Sequence, residues 1–282
     1  MILIPGELIG AVLGTATVIG VLLAPTMFVA GTDVASAWGA AAATAAGAVG
    51  FVLRERTARH PLLDLRLVAQ PLVASGLAYK AAAGLAMAGL SYMVKLQFAW
   101  VWPPALAAVG TLPQVVVLLA SGRFVGPFVK RVGLDRAAWM SAAAVIAGLA
   151  VFALLGRFGY PWVLTALVLV AAGMRVVGVV AGNNVLRGLP ENRTSIGAAL
   201  VDTASEIATA VGIAATGTIL AALVGGSITT ITFTSDQLAS FQEAILIAGL
   251  TITAIAAALV CIGIHRSRRT PAQPTNQEPS YV

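Results

Sequence analysis

Charge is what this sequence has least of. Of its 282 residues only 10% are Asp, Glu, Lys or Arg, while 59% are hydrophobic. Soluble domains carry about a quarter charged residues, so this chain lacks the polar surface to cover a water-soluble globule. Cysteine is nearly absent: the single Cys261 excludes an intramolecular disulfide and a cysteine-rich metal site, and its apolar surroundings read as those of a buried, inert thiol. Histidine occurs twice, as His60 and His265, without the spacing of a zinc-binding helix, and no nucleophile elbow or P-loop is present. These absences point away from an enzyme, a metal, a cofactor and ATP coupling. The start, "MILIPGELIG", has no basic region, and Glu7 stands where an export signal carries Lys or Arg, so no cleavable signal is expected.

What is present is a series of long apolar runs. A membrane helix needs about 20 mostly apolar residues. Eight segments qualify, near 7–30, 37–53, 73–95, 105–129, 137–156, 162–185, 195–223 and 241–264, separated by turn and charge clusters. The fold expected is an all-α polytopic transmembrane bundle of about eight spans. The net charge of +6 is then a matter of topology rather than of nucleic-acid binding. Twelve Lys and Arg fall in loops on one side, and only Lys95 and Arg157 on the other. Cytoplasmic loops are enriched in basic residues, so both termini are expected in the cytoplasm and the chain in the cell (inner or plasma) membrane. Trp38, Trp100, Trp102, Tyr160 and Trp162 fall at the opposite ends of spans, as interfacial aromatics do. Phe98, Trp100 and Trp102 read as interface anchors rather than a stacking box. The segment 54–72 is charged but keeps an apolar stripe in "PLLDLRLV"; it reads either as a surface-lying helix or as a solvated linker. The tail 265–282 reads as disordered, and "NRT" at Asn192 as a chance glycosylation match.

Four residues in the spans break the apolar pattern most sharply. Asp202 and Glu206 are four apart and share a helix face; Arg175 interrupts a glycine-containing run, and Lys80 lies two turns into its span. A charge at mid-bilayer costs roughly 2.5–3.5 kcal/mol, and such residues normally face a bundle interior or a wet cavity. Topology places these four charges between the cytoplasmic half and the midplane. Asp202, Glu206, Thr209 and Thr216 form one stripe, Gly76, Lys80 and Gly84 a second, and Arg175, Gly178 and Gly182 a third. Two readings stand: a proton- or cation-coupling and substrate-binding site, or a static charge network that fixes helix packing. If the charges touch, Glu206→Gln should strand a buried base and destabilise the protein. Asn183 and Asn184 read as cavity-lining or helix-capping, Gln114 beside Pro113 as pathway-facing or a plain kink, and Arg123 as snorkelling to the interface.

Four stretches together resemble one family. "IPGELIGAVLG" looks like the start of an extra helix pair, "FVLRERTARHPLLDLRL" like the basic linker after it, and "GPFVKRVG" like a short loop motif, G-x-x-x-D-R-x-G. "NNVLRGLPENRTSIGAALVDTASEIATAVG" is similar to a loop-then-helix signature. The chain resembles, from about residue 4 to 264, the C-terminal part of a major facilitator superfamily transporter of the fourteen-helix drug:proton antiporter family. The resemblance implies two extra helices (1–53), a cytoplasmic basic linker (54–72) and a six-helix transporter half (73–264). It also implies proton-coupled multidrug efflux by alternating access. Gly126, Lys130, Arg131 and Gly133 occupy the loop motif, with Lys130 where the family has Asp, which puts the latch role of that acid in doubt. Asp202 and Glu206 stand where relatives more often have Asn and Gln. Nothing matches the family's first six helices, so the expected partners beyond lipid, protons and a small-molecule substrate are a separate first half or a second copy. The alternative is a non-transporting truncated fragment, or a membrane scaffold or binding subunit.

Overall fold

A computed structural model describes residues 5–27, 34–58, 65–101, 103–190, 194–224 and 235–268. Among them there is no strand. The helices are α1 (Pro5–Met27), α2 (Val34–Thr57), a short α3 (Leu65–Ala69), α4 (Pro71–Val101), α5 (Pro104–Val132) and α6 (Leu134–Leu155). A 3₁₀ turn (Gly156–Phe158) leads into α7 (Tyr160–Arg187), followed by α8 (Thr194–Val224) and α9 (Ser235–Arg268). Among the described residues seven helices are long and apolar enough to cross a membrane, and α1 contributes a shorter apolar stretch, Ile9–Ala24. The chain is a multi-pass membrane protein with an all-α fold. Its helices outrun the apolar runs: the 31 residues of α4 span about 46 Å, against a hydrocarbon core of about 30 Å.

The bundle is built around α4, which packs on α7, α8 and α9, while α6 packs on α7 and α9. Small residues set these approaches. A methyl group at Gly173 of α7 would come within 2.6 Å of the Ser141 carbonyl of α6, and one at Gly212 of α8 within 2.9 Å of the Leu85 carbonyl of α4. Larger side chains fill the rest: Leu90, Met93, Leu149, Phe152, Leu220 and Ile252 are fully buried in one cluster. Hydroxyls on these helices have no water to bond in a bilayer. Thr216 and Ser141 instead donate to their own helices, to the carbonyls of Gly212 at 2.7 Å and Ala137 at 2.6 Å.

Two junctions demand glycine. Gly133, alone between α5 and α6, has φ +85°; its N–H bonds the Val129 carbonyl and its own carbonyl accepts from Ala137, so it ends one helix and starts the next. Gly159, at φ +129°, turns the chain into α7. Pro113 and Pro127 sit inside α5 without ending it. The α1–α2 pair is held by small-residue contacts, with Gly47 facing Thr17 and Gly14 facing Phe51, and it docks on the bundle through α8.

Two expectations change, and one left open gains a structure. Cys261 is exposed, on the outward face of α9 rather than in the core, because helix sides that face lipid are as apolar as those that face protein. Phe98 is no interface anchor: it is buried in the main cluster, its ring centroid 6.0 Å from that of Tyr160. In the linker, Leu67 of α3 packs on Val73, Val185 and Leu189, so this part of the segment docks on the end of the bundle. His60, Asn192, Trp102 and the tail beyond Arg268 lie outside the described residues, as does the side chain of Trp100.

Candidate functional site

The four in-span charges come from α4, α7 and α8, and the glycine contacts of α4 set their relation. A methyl at Gly76 would meet the Ala181 carbonyl of α7 at 2.5 Å; one at Gly84 would meet the Ser205 carbonyl of α8 at 2.8 Å. Lys80 lies midway, about 40° round the helix from each. It therefore points between the two neighbours, into the groove where α7 and α8 part. Asp202 and Glu206 flank the Ser205–Thr209 edge of α8 that touches Gly84, and both are exposed in the bundle. Arg175 is also exposed, on the side of α7 that carries Val179 and Leu186.

The contact points also give the levels. Helices α4 and α8 run parallel, with Gly84 beside Ser205, which puts Lys80 near the level of Asp202. Helix α7 runs the other way, with Gly76 beside Ala181, so Gly178 lies near the level of Lys80 and Arg175 one turn further from the basic loops. Gly178 and Gly182 have nothing within 4 Å of where a side chain would start. They are an open wall of the groove, not a packing surface like Gly76.

The charges share the groove without pairing. Among the described residues no ion pair within 4.0 Å joins Asp202, Glu206, Arg175 or Lys80. Arg175 instead reaches α5, where its Nε donates to the Leu118 carbonyl at 2.8 Å and a guanidinium nitrogen lies 3.6 Å from the side-chain position of Gly122. A helix carbonyl has a second lone pair, so Arg175 adds a bond without breaking α5.

Gln114 is buried, and its Nε2 donates to Met87 Sδ at 3.1 Å. Met87 is seven residues beyond Lys80 on the same face of α4, so this pair closes the groove toward the end opposite the basic loops. Tyr160 further ties α7 to α5 there, donating to the Gly110 carbonyl at 3.1 Å. Thr209 lies against Gly84, 3.3 Å from its side-chain position, rather than lining open space. Asn183 is half-buried. Asn184 is buried and neither lines the groove nor caps its helix: its Nδ2 donates to Ser75 Oγ at 3.4 Å, a polar tie between α7 and α4.

The loop-motif residues lie apart from the groove. Lys130 and Arg131 occupy the last turn of α5, where cations suit the helix dipole, and Gly126 has open space beside it. Arg123 is exposed with its guanidinium 5.3 Å from the Phe124 ring centroid. Sequence reasoning missed Leu118, Met87 and Ser75, which partner the candidates through a carbonyl, a thioether and a hydroxyl; only the carbonyl, being backbone, leaves no trace in the side-chain pattern. In comparison with known proteins, no family profile and no curated sequence matches this chain.

Proposed function

We propose that this chain works in secondary active transport, as the second half of a major facilitator transporter of the drug:proton antiporter type. The observation that carries the reading is the groove between α4, α7 and α8, which gathers two carboxylates, a lysine and an arginine beside the open wall of Gly178 and Gly182. Asp202 and Glu206 exchange protons with the groove and attract a lipophilic cation. Two carboxylates one helical turn apart on one wall offer adjacent acceptors for a proton or a cation. Lys80 balances their charge, and Arg175 holds the α5 side of the groove. Alternating access needs a second bundle across the groove, supplied by a separate first half or a second copy of this chain. The protein lies in the cell membrane with both termini and the basic loops in the cytoplasm.

The test is flux. The chain is purified, placed in liposomes with an imposed pH gradient and followed with a lipophilic dye cation, beside the Asp202→Asn/Glu206→Gln variant. Gradient-driven movement that the double variant loses supports the reading. Equal movement in both would overturn the role of the acids. A second reading, a membrane scaffold or binding subunit, rests on the exposed apolar length of α5; it expects dye binding without gradient-driven movement.

A further inference from the structure

A second cavity lies on another side of the bundle. It encloses about 650 Å³, within the ~300–1,000 Å³ of small-molecule sites. Its walls are the ends of α4 and α6 and the starts of α7 and α9, all at the end opposite the basic loops. Helices α6 and α9 touch where a methyl at Gly249 would meet Ala153 at 2.8 Å; α6 ends two residues later, and the cavity lies beside its end, lined by Leu238 to Leu246 of α9.

The interior and rim differ in chemistry. Phe98, Phe152, Val163 and Phe241 are buried and give an apolar, aromatic interior. The rim carries Arg157 and Glu243, both exposed, beside Gln97 and Gln242. Arg157 stacks its guanidinium 4.7 Å from the Phe158 ring centroid, and no ion pair within 4.0 Å joins it to Glu243 among the described residues. Gln97 Nε2 is engaged by the Gly156 carbonyl at 3.1 Å, which fixes the turn that carries Arg157. Exposed Leu154 and Leu238 continue the apolar lining sideways toward lipid. Tyr160 and Trp162 mark this level as the membrane interface.

We infer that this cavity holds one zwitterionic phospholipid with a primary amine, of the phosphatidylethanolamine type, taken from the leaflet opposite the basic loops. An arginine fork matches a phosphate in geometry and charge. The Glu243 carboxylate accepts hydrogen bonds from an ammonium, which a quaternary amine cannot donate. One acyl chain lies on the three phenylalanines and leaves past Leu154. The inference needs only that the chain spans a membrane, and stands whether or not it transports.

The experiment is native mass spectrometry of the full chain in detergent with added phosphatidylethanolamine, phosphatidylcholine or phosphatidylglycerol of one acyl composition. One phosphatidylethanolamine per chain is expected to stay bound under conditions that strip the other two. Arg157→Gln should weaken its binding about tenfold or more, the scale of one lost charge-assisted hydrogen bond. Glu243→Gln should bring it down to the level of phosphatidylcholine. Both residues are exposed, so these variants should fold; Ala239→Trp, which fills the cavity mouth, should remove the bound lipid with unchanged gel-filtration behaviour. Equal retention of the three lipids, or any of these variants retaining phosphatidylethanolamine like the parent, overturns the inference.

Discussion

Gly76→Ala tests whether α4 and α7 are set by the backbone contact described above. The added methyl would lie 2.5 Å from the Ala181 carbonyl and 2.6 Å from Val185 Cγ2. Ordinary contacts to such atoms need about 3.5–4.0 Å, so the helices must separate by about 1 Å. Neither atom is the free end of a flexible side chain: one is backbone, and Val185 is fully buried. Overpacking of this kind costs about 1–3 kcal/mol. Alanine returns up to about 1 kcal/mol in helix propensity, so the middle of that cost, about 2 kcal/mol, leaves a net loss of about 1–2 kcal/mol. For a chain of this size that lowers the melting temperature by about 2–8 °C. The assay is the fraction still monodisperse after heating in detergent. Gly182→Ala is the internal control. It lies on α7 near the same level but has no atom within 4 Å, so it should match the parent or exceed it. Equal melting of Gly76→Ala and the parent would refute the packing argument, and a loss in Gly182→Ala as large as that in Gly76→Ala would refute the open wall.

Other outcomes follow from the same contacts. Asp202→Asn/Glu206→Gln should stay within about 0.5 kcal/mol of the parent, because both acids are exposed and unpaired with Lys80 or Arg175; a large loss on heating would restore the charge network. Tyr160→Phe removes the bond to the Gly110 carbonyl and should cost about 0.5–1.5 kcal/mol in the same melting assay. Gly133→Ala forces a side chain into φ +85° at a one-residue junction and should cost about 1–3 kcal/mol, again read by melting. Thr216→Val should be nearly neutral, since the hydroxyl only back-bonds to Gly212 within its own helix.

The helices were legible and the faces were not, and one physical fact explains both. Lipid tails are as apolar as leucine, so a membrane helix needs a long apolar run, which is visible, but gains nothing by turning its more apolar side inward. Gly76, Gly178 and Gly182 look alike in sequence. Only the fold shows that the first meets the α7 backbone while the other two face open space. Phe98 and Cys261 were misplaced for the same reason, each being apolar on a helix whose two sides are equally so. The charges were the readable exception. Depth along the spans set Lys80, Asp202, Glu206 and Arg175 at neighbouring levels, but that α4 packs on both α7 and α8 is visible only in the fold. What depth could not supply was the partner of each. Arg175 answers to a backbone carbonyl of α5, and every residue has a carbonyl. The two acids stay open to the groove, and that openness is what a static network would lack and a site that takes up protons or a cation would need.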